Sequence, residues 1–151
     1  MKSKMVELLK NYNKWFDLDY EIAYFFNVYG NRQIYEGKYA TVVAIFEKQY
    51  KNNESITVVE PGTQSRDFTH VNDIVSGLVK LININKNYEW FLRSGVNVEI
   101  VTLAKLFWDK IKFIPERSGE RFTSEFFESD TEIMLDWKPK ESLIEWIKNK
   151  K

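Results

Sequence analysis

The sequence contains no cysteine, and that absence removes disulfide frameworks, thiolate nucleophiles and zinc ribbons together. Histidine is almost as scarce. His70 stands alone, so neither an HExxH zinc helix nor any centre built on several imidazoles is available. The six glycines, at 30, 37, 62, 77, 95 and 119, lie at least seven positions apart. Neither G-x-G-x-x-G nor G-x-x-x-x-G-K-[ST] is therefore written in these 151 residues, and the chain carries no glycine-rich phosphate loop. Charge of one sign is also missing. With 22 basic and 22 acidic side chains the formal net charge is zero, which gives no general field for nucleic acid or an anionic membrane. Long apolar runs are absent too. Ile22 to Phe26 and Val42 to Phe46 are the longest, about five residues each, against the roughly 20 needed to span a bilayer. Glu7 and Lys10 interrupt any signal-peptide core, and the expected address is the cytoplasm.

What is present is enough to fold. Hydrophobic residues make up 44% of the chain and aromatics 16%, which argues against disorder and for one domain or a piece of a larger one. Met5, Leu8, Leu9, Tyr12 and Phe16 recur at helical spacing. Ile22 to Phe26 is apolar throughout, which suits a strand covered on both faces as parallel strands are, but no βαβ unit precedes it to cover it, so its edge is expected to be exposed or covered by another chain. A polar loop over 30–38 leads to a helix on Val42, Ile45, Phe46 and Gln49. Ile56 to Val59 is a short strand, closed by Glu60-Pro61-Gly62-Thr63 with Pro and Gly placed for a type II turn. A helix on Val71, Ile74, Val75, Leu78 and Ile82, a strand at Tyr88 to Leu92, a helix on Ile100, Leu103, Ala104 and Phe107, and a brief strand at Lys112 to Ile114 follow. Two capping boxes, Ser129 with Glu132 and Ser142 with Glu145, announce helix starts near the end. The order of elements is α/β. It begins on a helix rather than a βαβ unit, so the chain reads as the second half of a larger sheet.

Three segments carry a family resemblance. Phe25-Phe26-Asn27-Val28-Tyr29-Gly30, then Arg66-Asp67-Phe68-Thr69-His70-Val71-Asn72-Asp73-Ile74, then Arg117-Ser118-Gly119-Glu120 followed by Trp137-Lys138-Pro139, occur in one order and spacing. Together they resemble the FNVYG, RD[FY]x[HY]VxD[IV], RxG[DE] and GWxP segments of the NAD-dependent nucleotide-sugar epimerases and dehydratases, the extended short-chain dehydrogenase/reductases. The resemblance covers essentially the whole chain, and the nearest subgroup is that of the UDP-glucose 4-epimerases. It implies the C-terminal part of that α/β fold, lacking most of the Rossmann sheet. Residues 1–30 would be the last helix and strand adjoining the Rossmann half, and residues 31–151 the substrate-binding portion.

The resemblance also implies site residues. The family's Y-x-x-x-K motif ends where Ser3-Lys4 stands, so Lys4 is expected to be catalytic only if a tyrosine is supplied by another chain. Family chemistry is a hydride exchange at C4 of the sugar through NAD, with the Tyr taking the proton. No cofactor is expected to bind this chain alone. For substrate, Arg66 and Arg117 would grip the diphosphate of a UDP-sugar, because a guanidinium offers bidentate contacts that lysine does not. Glu120 would hold a ribose hydroxyl, Asn27 the diphosphate-sugar region, Thr41 and Val42 would contribute backbone groups, and Val59 would pack on the base.

His70 with Asp67 and Asp73 can be written as a metal cluster. The preferred reading is a strand-to-helix junction capped by Asn72 or Asp73. The aromatic excess reads as core, without the interleaved basic residues of a nucleic-acid groove. Four positions depart from the family pattern: Tyr24 replaces an Arg, Asn31 a Pro, Phe91 an Asn and Arg93 a Gly. The last two are expected to disturb the junction after the strand at Tyr88 to Leu92. Two alternatives to an inactive UDP-sugar-binding portion stay open at this point. One is a non-enzymatic association module derived from the fold. The other is half of a split epimerase completed by a separate N-terminal chain. The expected protein partner is a second copy, through the N-terminal helix, or a complementary N-terminal half.

Overall fold

The computed structural model describes residues 2–116 and 129–151. Arg117, Gly119 and Glu120 lie outside the described residues. Helix α1 (Lys2–Phe16) precedes strands β1 (Glu21–Phe25) and β2 (Asn27–Tyr29). Then come α2 (Val42–Lys51), β3 (Ile56–Val59), β4 (Ser65–His70), α3 (Val71–Leu81), β5 (Tyr88–Leu92), β6 (Asn97–Glu99), α4 (Ile100–Phe107) and β7 (Ile111–Ile114). Two short helices, α5 (Thr131–Met134) and α6 (Leu143–Lys148), close the chain. The α/β alternation matches the expected class. Strands β2, β4 and β6, three to six residues long, are additions to the sequence reading. Helix α5 begins where Ser129 and Glu132 announce a helix start.

The strands form three small sheets, and three of the four pairings are parallel: β1 with β5, β2 with β4, and β3 with β7. Only β4 with β6 is antiparallel, with Arg66 opposite Val98. Two cores sit on these sheets. The larger joins Phe46 of α2, Ile56 and Val58 of β3, and Leu103 and Phe107 of α4 to Ile147 of α6. The smaller packs Ile74 and Leu81 of α3 against Trp90 and Leu92 of β5, with Leu135 and Trp137 closing it. Gly77 permits that second contact. A Cβ there would meet the fully buried Leu92 side chain at 2.6 Å, so α3 approaches β5 as closely as it does only because Gly77 has none.

Two cap assignments differ from expectation. The N-cap of α3 is His70 itself, whose Nδ1 accepts the Asn72 amide at 3.2 Å. An imidazole nitrogen thus does the work expected of Asn72 or Asp73. Helix α5 is capped by Asp130 without a side-chain bond, while Ser129 Oγ accepts from the Thr131 amide at 3.1 Å, so the Ser129–Glu132 box does not form. The Ser142 cap does form, with its hydroxyl accepting from the Glu145 amide at 3.4 Å. The turn after β3 holds Gly62 at φ +82°, on a cis Glu60–Pro61 peptide.

Strand β1 has an open edge among the described residues, as expected of an apolar strand with no preceding βαβ unit to cover it. Its residues are half-buried, Phe25 is exposed, and among the described residues β5 is its only strand neighbour. Helix α1 does not seal it, because α1 buries none of its own side chains. Met5, Leu8, Tyr12, Trp15 and Phe16 are all exposed, so part of the aromatic content is surface rather than the core expected of it. What ties α1 to the sheet is the ion pair from Lys10 to Glu89 of β5, with the Tyr24 hydroxyl donating to the other Glu89 oxygen at 2.9 Å.

That tether titrates. The hydrogen bond from Lys10 holds the Glu89 carboxyl below its ordinary 4.5, and the same bond holds Lys10 above its ordinary 10.5. A depressed carboxyl contributes its stabilisation above the ordinary value and loses it as pH falls through the folded value. Amide exchange over α1 should therefore accelerate below about pH 4 while β3 and α4 stay protected, and Glu89→Gln should show the same loosening already at neutral pH. Equal protection of α1 in both proteins would remove the pair from that role.

Candidate functional site

A cavity of about 420 Å³ opens between β2, the start of α2, and β4, with Ile100 of α4 as floor. Its size falls within the roughly 300–1,000 Å³ of small-molecule sites. Asn27, Thr41, Val42 and Arg66 all line it, joined by Phe26 and Phe68. Four expected residues from three separated segments therefore meet at one place. Val59, at the end of β3, is not among the lining residues. Lys4 is exposed on α1. A larger groove of about 520 Å³ between β6, α4 and residues 139–144 shares Phe68, but holds none of the expected side chains. The smaller cavity is the candidate site because the hydrogen-bonding groups converge there.

Local structure explains the convergence. Asn27 opens β2 and sends its Nδ2 to the Asp67 carbonyl at 3.0 Å, which locks β2 against β4 in the register Asn27 to Phe68. Arg66, half-buried on β4, donates from Nη1 to the Ser65 carbonyl at 2.7 Å. Thr41 is the N-cap of α2 and accepts the Ala44 amide at 3.3 Å. The first turn of α2 thus faces the cavity with the positive end of its dipole. A guanidinium and a helix N-terminus at one cavity suit an anionic ligand.

Asp67 and Asp73 flank this wall and are both nearly fully buried. Among the described residues no group of three His, Cys, Asp or Glu side chains is placed to hold an ion. Asp67 instead accepts the Ser94 amide at 2.9 Å, the Ser94 hydroxyl at 2.8 Å and the Gly95 amide at 2.7 Å. Asp73 accepts the amides of Lys140 and Glu141, each at 3.0 Å, and its carbonyl takes Trp137 Nε1 at 3.2 Å. A buried carboxylate is tolerable only when donors satisfy it in this way. The Arg66–Asp73 motif and the Trp137–Pro139 motif are therefore two sides of one contact.

The departures from the family pattern are also packed. Tyr24 and Phe91 face each other in the β1–β5 register and stack at 5.0 Å and 17°. Arg93 lies 6.0 Å over the ring of Phe26, a residue of the cavity wall. Asn31 accepts from Lys150 Nζ at 2.8 Å. Pairing of β1 with β5 runs through to Phe25 and Leu92, the residue before Arg93.

Among the described residues, the helices of eight or more residues after α1 open on Thr41, His70 and Glu99, none of them behind a glycine-rich turn. Burial, with Asp73 and Glu141 nearby, raises the Tyr29 phenol well above its ordinary 10.0. No helix among the described residues is long and apolar enough to cross a membrane.

The model of the NAD dependent epimerase/dehydratase family matches residues 1–90, and the chain belongs to that family. UDP-glucuronic acid decarboxylase 3 of Arabidopsis thaliana is 30% identical over 147 residues, which are 93% of this chain and 42% of that one. The structure of UDP-glucose 4-epimerase with UDP-glucose from Thermotoga maritima matches at TM-score 0.91 and 28% identity, over 97% of this chain and 49% of that one. UDP-N-acetylglucosamine 4-epimerase from Methanobrevibacter ruminantium, in complex with UDP-N-acetylmuramic acid, matches at TM-score 0.89 and 27% identity, over 99% and 50%. The chain spans about half the length of the curated relatives it matches.

Phe26, Phe68 and the Asp67 clamp were not singled out from sequence as parts of the site. Phe26, Phe68 and Asp67 stand inside recognisable motifs, but only the fold shows what they touch. Asp67→Asn turns an NH2 group toward amides that need an acceptor. It should cost about 1–3 kcal/mol in a urea titration and loosen the 93–95 turn. A variant as stable as the parent would show the clamp to be dispensable.

Proposed function

We propose that this chain is the substrate-binding portion of a UDP-sugar-converting enzyme of the epimerase type, inactive alone. The observation that supports this is the meeting of Asn27, Thr41, Val42 and Arg66 at one cavity. In this reading Arg66 grips the diphosphate, joined by Arg117, and Asn27 holds the diphosphate-sugar region. Thr41 and Val42 contribute backbone groups, Val59 packs on the base, and Glu120 holds a ribose hydroxyl. Residues 31–151 carry the ligand, and residues 1–30 adjoin the nucleotide-binding half. That the compared solved structures contain UDP-glucose and UDP-N-acetylmuramic acid favours a UDP-sugar over other anions.

Lys4 belongs to catalysis only when a second chain supplies a tyrosine beside it. The exposed Met5, Leu8, Tyr12, Trp15 and Phe16 face of α1 favours association, either with a second copy or with a complementary N-terminal half. Calorimetry with UDP should show weak binding that falls about 10- to 100-fold in Arg66→Ala, the loss expected for charge-assisted contacts. Equal affinity in the variant would remove Arg66 from the site.

The isolated chain should neither bind NAD nor interconvert UDP-glucose and UDP-galactose. Proton abstraction needs a base within hydrogen-bond reach, and a pyrophosphate needs a glycine turn. Fluorescence titration with NAD and a coupled epimerase assay check this. Turnover that survives removal of host enzyme would overturn it, and turnover only on mixing with an N-terminal half would favour the split enzyme.

A further inference from the structure

We propose that Gln33 and Glu47 are positioning residues for the ligand cavity, acting through Thr41; this rests on the cavity reading above. Glu47 lies on α2 and is 1% exposed although charged. Its Oε2 accepts Gln33 Nε2 at 2.9 Å and the Tyr35 hydroxyl at 3.4 Å, and its Oε1 accepts Lys51 Nζ at 2.6 Å. Gln33 in turn accepts the Thr41 hydroxyl on Oε1 at 3.3 Å. Thr41 Oγ1 accepts the Ala44 amide at 3.3 Å and lines the cavity.

The direction of this chain of bonds is forced. A carboxylate only accepts, so the Gln33 amide must present its NH2 group to Glu47. That leaves the amide oxygen facing Thr41, which must donate its hydroxyl proton to it. The lone pairs of Thr41 are then free to take the helix amide. One buried charge thereby sets the polarity of every bond up to the cavity wall and pins the loop over 31–41 across α2. A solvated Glu–Lys pair at i, i+4 would do none of this, and would not sit buried beneath a loop.

The test is a polarity swap in the full chain. Glu47→Gln lets the Gln33 amide turn over, so its NH2 group competes for the Thr41 lone pairs. UDP affinity should fall about tenfold, the worth of one charge-assisted bond, and exchange of the Ala44 amide should quicken. The double variant Q33E/E47Q restores an acceptor opposite Thr41, with the amide now at position 47 donating to the carboxylate at position 33, and should recover both readouts. A purely structural role would shift the unfolding midpoint in all three proteins without this recovery. Gln33→Leu, on the surface loop, cuts the same link if Glu47→Gln fails to fold, and should weaken UDP and expose Ala44 equally. Wild-type affinity in Glu47→Gln or Gln33→Leu, or no recovery in the swap, overturns the proposal. If the parent chain does not bind UDP, the cavity reading fails on its own. Ala44 exchange then decides the relay: loss in the single variants with recovery in the swap supports it, and unchanged exchange overturns it.

Discussion

The structure depends on one eight-residue segment, Arg66 to Asp73, in which β4 passes directly into α3. Its backbone pairs with β2 on one side and β6 on the other, and its two buried carboxylates reach outward. Asp67 fastens the turn after β5, and Asp73 fastens the chain leading into α6. Buried carboxylates that find backbone amides are directional. Unlike apolar packing, they specify which loop comes to rest where. His70 completes the segment by capping the helix between them. The cavity wall, the β5 junction and the C-terminal helix are all positioned from this one stretch.

A second carboxylate system works at the other wall. Glu47 holds the 33–35 loop down on α2, and Thr41 opens that helix at the cavity. The two systems oppose each other across Asn27, Arg66 and Phe68. The side chains that line the cavity are thus carried by short strands and a helix start. Three of the positions that depart from the family pattern are packed on rings: Tyr24 and Phe91 on each other, and Arg93 over Phe26. Bulk at one position is accepted because its neighbour supplies a surface for it.

The apolar face of α1 and the open edge of β1 have a different standing. Helix α1 buries none of its side chains and is held by a surface ion pair rather than by a core, and among the described residues β1 has only one strand neighbour. An exposed strand edge beside an exposed aromatic cluster is the kind of surface that association covers. The larger core of α2, β3, α4 and α6 is complete without it.

From sequence alone, the α/β class, the main helices, the absence of a phosphate loop and the family segments are legible, because periodicity, glycine spacing and local motifs are properties of neighbouring residues. Arg66 and Thr41 could be named as site residues through those segments. That they share a cavity with Asn27, while Val59 stands apart from its lining, was decided only when β2 paired with β4. The same holds for Glu47. On a helical wheel, with Lys51 one turn on, it reads as a solvated charge, and only the folding of Gln33 and Tyr35 over it makes it a buried one. The clamp at Asp67 spans 27 residues of chain, and the one at Asp73 spans 67. No local pattern encodes such partners, because a carboxylate's donors are chosen by where the tertiary structure brings free amides, not by what stands next to it in sequence.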